Sequence, residues 1–478
     1  MAGSYQRLPL AVKGVDGRRT QQRALAPVTR ASRRAGCFLF GSAGRTIWLG
    51  CWPRAAGGRA DTHEEARIPA HAHTLAELRE FERTRFDQIE DAINAGDLER
   101  VQELADAVQR EFVPVHDGFM DTVTAILSHF VDLTSPEQGE EIGLRVMERH
   151  MAGPWFDQYL GAHGDSPESL RQRIVDVATT WHWHPTEFTM TEDDEKVTVH
   201  THPCGSGMRL EQRGRYEGEN AFKRSVRPSK STFMEAGFPI YCNHCPEMNR
   251  AGLRKGATVW LVEGWKPVRD RGHGRCRQHS YKRLEDVPEE FYARVGFERP
   301  SEFAPQPSLR VRLFTDQELE ELAAHPCDRL VGAFEAGSPE AALDLLEFAR
   351  GGWSGMHGAY PIYLALLWNE ARDSFGPDGL TDTLERTAPE LITSVHEGDP
   401  WQWASFWSMH LYLREIRQED GAYAFVVGER ALVSEAFVGS TAEFCVALSR
   451  GVHARGWEGV GRFDAEGDAI VHRLPAPG

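Results

Sequence analysis

The chain repeats itself. At a constant offset of 241, "TLAELRE" (74–80) falls on "TDQELEE" (315–321), and "AINAGDLERVQEL" (92–104) falls on "AFEAGSPEAALDL" (333–345). A unit that recurs without a gap limits the fold to what two copies can build together. Both copies open with Thr-x-x-Glu, where the threonine hydroxyl caps the first turn and the glutamate reaches back. Gly96 and Gly337 stand where a helix needs a left-handed cap, and Asp97 and Ser338-Pro339 suit the next helix start. Leu98, Val101, Leu104 and Val108 form one apolar stripe. Phe119, Val123, Ile126, Leu127 and Phe130 form another, answered by Tyr360, Leu364, Leu367 and Trp368. His116 falls on His357 and Pro136 on Pro377. The pattern predicts an αα-hairpin followed by a longer helix in each copy.

Each copy then leads into a segment that reads as a β-hairpin: "EFTMTEDDEKVTVHTHPCGSG" (187–207) and "GRFDAEGDAIVHRLPAPG" (461–478). Setting His200 on His472 puts Pro203 on Pro475, and the second copy then stops where the cysteine-bearing part of the first begins. The expected class is α+β, with two tandem helical units each leading into a β-hairpin and the first extended by a Cys/His-rich α/β segment. Residues 74–310 form the candidate active domain, and 311–478 a degenerate, mostly helical second copy.

Charge adds boundaries. The net charge is −17, yet residues 1–60 hold eleven Lys/Arg against one Asp, and residues 205–285 hold seventeen Lys/Arg against eight Asp/Glu. The first sixty or so residues have no helical or strand period, and residues 1–73 are expected to be a disordered basic extension, with a start codon placed too far upstream as the other reading. The remainder is acidic enough to repel a phosphate backbone, which argues against nucleic acid as partner. No run of apolar residues is long enough to span a membrane. Eight cysteines in 478 residues are too few for a disulfide scaffold, so a reducing, cytoplasmic setting is expected. Nothing in the sequence sets an oligomeric state.

Cys37 and Cys51 lie in the leader, and Cys327 and Cys445 in helical contexts that suit small buried residues. Cys204, Cys242, Cys245 and Cys276 lie in or beside the basic island, with His202, His244 and His279. The spacing Cys242-x2-Cys245-x30-Cys276-x2-His279 allows two knuckles to wrap a tetrahedral Zn²⁺, with an iron–sulfur cluster as the other metal reading. Thiol chemistry without metal, and plain buried cysteines, stay open beside it. Cys204 follows a strand and precedes a Gly-Ser-Gly turn whose N–H groups can nest an anion. A strand spacing of two aims His202 and Cys204 the same way. Cys204 as nucleophile, with His202 or His244 as base, is the expected catalytic set. Arg209, Arg213 and Arg215 are the expected carboxylate clamps. The histidines of "TWHWHP" (180–185) are either ligands or part of an aromatic helix end. The Trp-rich stretch 400–413 has helical spacing and suits a core or the wall of an apolar pocket.

"HPCGSG" (202–207), "CNHCPEM" (242–248) and "GRCRQHSYK" (274–282) together resemble two bacterial groups over residues 74–290. These are the L-2-amino-thiazoline-4-carboxylate hydrolase-like family and the vinyl-4-reductase-like small-molecule-binding domain. The first resemblance implies cysteine-dependent opening of a small sulfur- or nitrogen-containing ring bearing a carboxylate. The second implies a ligand-binding module with a cysteine-bound metal. The expected function is a hydrolase-like Cys/His enzyme acting on a small anionic molecule; the alternative is a zinc-stabilised binding or interaction module without catalysis.

Overall fold

The structure is a computed structural model that describes residues 73–151, 166–258, 261–263, 276–303, 310–419 and 421–475. The leader, with Cys37 and Cys51, lies outside the described residues. Three helix starts recur at the offset of 241. Helix α1 (Leu75–Arg79), α2 (Arg85–Ala95) and α3 (Leu98–Leu133) are matched by α8 (Asp316–Ala323), α9 (Pro326–Glu335) and α10 (Pro339–Thr387). Thr74 and Thr315 both close complete capping boxes with Glu77 and Glu318. Gly96 and Gly337 both turn left-handed, at φ 75° and 76°, a conformation that a side chain disfavours. Pro136 opens α4 (Pro136–Met151), and the matching Pro377 follows a break in α10 at Gly376 (φ 78°).

Helix α5 (Pro167–His182) leads into β1 (Phe188–Glu192) and β2 (Lys196–Thr201). A short helix α6 (Gly207–Gln212) and helix α7 (His244–Arg254) follow, then β3 (Leu261–Val262) and β4 (Arg277–Tyr281). In the second half, α11 (Pro400–Met409) precedes β5 (Leu413–Glu419) and β6 (Ala422–Gly428). Helix α12 (Thr441–Ala454) then precedes β7 (Arg462–Glu466) and β8 (Ala469–Pro475). The two antiparallel sheets run β1-β2-β4-β3 and β5-β6-β8-β7.

Sheet position therefore matches β1–β2 with β5–β6, not with the hairpin at 461–478. That hairpin, β7–β8, occupies the places of β3 and β4. A polar turn flanked by alternating residues marks any antiparallel pair, so the pattern could not say which pair matched which. Helix α12 likewise stands where α7 stands, and the second half continues past the point at which it was expected to stop. Both helices end on a left-handed glycine, Gly256 and Gly456. Both latch onto the strand that follows. Asn249 accepts from the Val262 N–H and donates to its carbonyl (2.8 and 2.9 Å), and Ser449 does the same with Phe463 (3.0 and 3.1 Å).

The described residues, from His73 onward, belong to one compact unit. The middles of α3 and α10 pack together, with Phe119 stacked on Tyr360 at 4.8 Å. Trp183, Trp353, Trp368, Trp403 and Trp407 are fully buried; within the Trp-rich stretch 400–413, Trp403 and Trp407 join the core and Trp401 is partly buried. Each half's leading helix reaches the other half's sheet. Arg79 donates to the Ile416 carbonyl (3.0 Å), and the Ile416 N–H donates to Glu82 (2.7 Å). In return the N–H groups of Leu313 and Phe314 donate to Glu192 (2.6 and 2.9 Å). Glu192 also meets Lys282 at 2.8 Å, with both side chains 2% exposed. No helix among the described residues is long and apolar enough to cross a membrane.

Candidate functional site

Strand β2 ends at Thr201, whose N–H and hydroxyl both donate to the Cys276 carbonyl (3.4 and 2.7 Å). That anchor brings Cys204, three residues on, to the start of β4. The turn after it needs glycine twice. A Cβ on Gly205 would meet the His184 carbonyl at 1.6 Å, and one on Gly207 would meet the Cys242 sulfur at 2.3 Å. A short helical turn at 240–243 carries Cys242 and runs into α7, which carries His244 and Cys245.

All four cysteines of the basic island line one small cavity of about 10 Å³, together with Gly207, Met208, Phe233, Phe238, His244 and Val262. Cys204, Cys245, Cys276 and His244 also border a larger cavity, part of it open to solvent. Its other walls include Met120, Met248, Met356, Trp181, Tyr241 and Tyr360, with His184 among them. The thiols differ in character. Burial pushes those of Cys242 and Cys245 well up. Cys204 is held down to about 7, first by the Cys276 thiol that donates to it and then by the N–H groups of Ser206, Met208 and Gly207, against the pull of burial. The same contact raises Cys276. Of the expected Gly-Ser-Gly turn, Ser206 and Gly207 thus turn their N–H groups to the Cys204 sulfur, with Met208 beyond the turn, while the Gly205 N–H donates to Thr186 Oγ1 (2.7 Å).

A histidine relay stands beside it. Asp117 accepts both arms of Arg209 (2.7 and 2.8 Å) and lies 3.4 Å from His116 Nδ1. Burial raises the Asp117 carboxyl, but His116 and Arg209 outweigh it and hold it at about 2. Burial keeps both His116 and His184 below the usual histidine range. With Asp117 ionised and both rings neutral, the network assigns the protons. His116 Nδ1–H faces Asp117, and His116 Nε2 accepts from His184 Nδ1–H at 3.1 Å. His184 Nε2 keeps its lone pair. Ser206 Oγ lies 3.0 Å from His184 Nδ1. His244 donates Nδ1–H to the Tyr241 carbonyl (2.8 Å), leaving Nε2 3.4 Å from the Cys245 sulfur.

Several expected site residues stand elsewhere. His202 is exposed and meets Thr189 Oγ1 at 3.2 Å. The strand stops one residue before it, so strand alternation does not carry it to Cys204. His279 meets Thr198 Oγ1 at 3.0 Å and borders neither cavity described above. Cys276, just before β4, lines both cavities, whereas His279 within β4 lines neither. Among the described residues, no group of three or more His, Cys, Asp or Glu is arranged to hold a metal ion. The expected clamps are committed to the protein's own carboxylates: Arg209 to Asp117, Arg213 to Asp121, and Arg215 to Glu390. Asp117 stands outside the expected site; His116 is expected only as the match of His357, Ser206 only as part of the Gly-Ser-Gly turn, and His184 as a ligand or part of an aromatic helix end rather than a base.

The second half carries a matching pair. His357 Nε2 lies 2.9 Å from His410 Nδ1, which also faces the Ala431 carbonyl at 3.2 Å. Cys445 occupies the place on α12 that Cys245 holds on α7. It is buried, and burial pushes its thiol up to about 12. Comparison with family models, with curated proteins and with solved structures finds no match.

Proposed function

We propose that the chain is a thiol-dependent, hydrolase-like enzyme in which Cys204 attacks a small molecule seated in the larger cavity. One observation carries this reading. Of the four thiols around the cavities, Cys204 alone is drawn down toward neutral pH, by donors built into the turn that holds it. The thiolate adds to an electrophilic carbon; a C–S bond forms and the leaving group departs with its electron pair. Water then adds to the same carbon, giving its proton to His184 Nε2, and the C–S bond breaks to return the thiolate. The proton passes from His184 to the departed group. Asp117 and His116 are positioning residues that keep the lone pair on His184 Nε2. The experiment is alkylation by iodoacetamide with each cysteine mapped by mass. Cys204 is expected to react fastest, and a Cys204 no faster than Cys242 or Cys245 sinks the proposal.

A second reading rests on the convergence of all four thiols on one small cavity. In it, Cys204, Cys242, Cys245 and Cys276 turn inward onto zinc or an iron–sulfur cluster, with Cys204 in the place first given to His279. Stoichiometric metal in purified protein, with Cys204 protected from alkylation, would select it.

We read the two halves as tandem copies of one unit, the first carrying the Cys/His-rich segment. The common helix starts, the like sheet orders, the Asn249 and Ser449 latches and the two histidine pairs support that descent.

A further inference from the structure

We propose that the larger cavity takes an uncharged, ring-bearing small molecule, and that the Tyr363 hydroxyl is its polar anchor. The inference rests on the reading of this cavity as the substrate site and names the class of substrate. Thioethers, aromatic rings and aliphatic side chains make up most of the described wall: Met120, Met356, Trp181, Tyr241 and Tyr360 among them. Such a wall favours flat, polarisable groups through dispersion and sulfur–aromatic contact. Among the described lining residues none is Lys, Arg, Asp or Glu, and the arginines nearby in sequence are spent on Asp117, Asp121 and Glu390. A carboxylate entering would lose its hydration with no described cation to receive it.

Tyr363 lines the same cavity, is 8% exposed, and its hydroxyl has no hydrogen-bond partner among the described residues. Its ring is fixed by stacking on His150 at 4.6 Å. A buried hydroxyl without a partner is costly, and a ligand acceptor group placed there would satisfy it.

The test is calorimetry on the full chain carrying Cys204→Ser, so that binding is read without turnover, with 2-naphthol and 2-naphthoate as probes. Expected is binding of 2-naphthol, with 2-naphthoate weaker by about tenfold or more. Tyr363→Phe in the same background should weaken 2-naphthol by roughly threefold to tenfold and leave the melting temperature unchanged or higher. Equal or tighter binding of 2-naphthoate, binding of neither probe, or an unchanged 2-naphthol affinity in Tyr363→Phe would each overturn the proposal. Alkylation of Cys204 needs no ligand, so failure of the thiol reading shows in that assay and failure of the ligand class shows in this one.

Discussion

His184 Nδ1 stands 3.1 Å from His116 Nε2, and this contact decides which nitrogen of His184 is free to take a proton. Nitrogen-15 spectra of the imidazoles at neutral pH are expected to give His184 as the Nδ1–H tautomer. An Nε2–H tautomer would remove it as base.

Alkylation of Cys204 should accelerate with rising pH through a midpoint near 7, because the thiolate is the reacting form. Cys276→Ala deletes the strongest donor to that sulfur, so the midpoint should move up. A profile already centred at the value of an ordinary free thiol would refute the assignment.

Asp117 is held at about 2 against an ordinary 3.8. A folded value below the unfolded one means stability that is present above about pH 4 and lost as pH falls toward 2. The buried carboxylate is worth roughly 2 kcal/mol by this linkage. The gap in unfolding free energy between wild type and Asp117→Asn should narrow as pH falls across that window; a constant gap contradicts the shift.

Gly207 is needed because the Cys242 sulfur occupies the space of a Cβ. Gly207→Ala is expected to cost about 1–3 kcal/mol in denaturant unfolding, as overpacking does. Adding Cys242→Ala removes the sulfur and should recover most of that loss. Additive penalties in the double variant would rule out the contact as the cause.

Glu192 joins a buried lysine to two backbone N–H groups of the segment that leads into α8. Glu192→Ala leaves the Lys282 ammonium with the Asp193 carbonyl (2.7 Å) but without its carboxylate, and should destabilise the fold by roughly 3–5 kcal/mol. A loss within a few tenths of a kcal/mol of zero would mean the pair is solvated in solution.

The helical frame was legible because its signals are local. Thr74 with Glu77, Gly96 and Pro136 each act within a turn or two, and each recurs 241 residues on. Strand pairing was not legible in the same way. The residues around Glu466-Gly467 announce a hairpin but carry no mark of which sheet position it fills. The site divided along the same line. Cys204, Cys242, Cys245 and Cys276 stood out as rare residues within one basic stretch, and they do meet. His279 was placed by zinc-knuckle spacing, which assumes a turn where the chain runs as a strand. Asp117 and His116 sit on a helix about 90 residues before Cys204, and only packing of α3 against the turn after β2 brings them near. The arginines were read for their charge, but the carboxylates that consume it lie on α3 and after α10, out of reach of any local pattern.

The paired straps have a further meaning. Glu82 serves the strand containing Ile416, and Glu192 serves the segment containing Leu313. The first half thus finishes the backbone edge at Ile416, and the second is tied in return to a side chain of β1, like two hands clasped at the wrist. A cut near residue 310, where the sequence suggests a boundary, would release fragments in which the edge at Ile416 is bare and Glu192 has lost its two backbone donors. Such fragments would be prone to clasp their own kind, and the chain is better probed by substitution than by division.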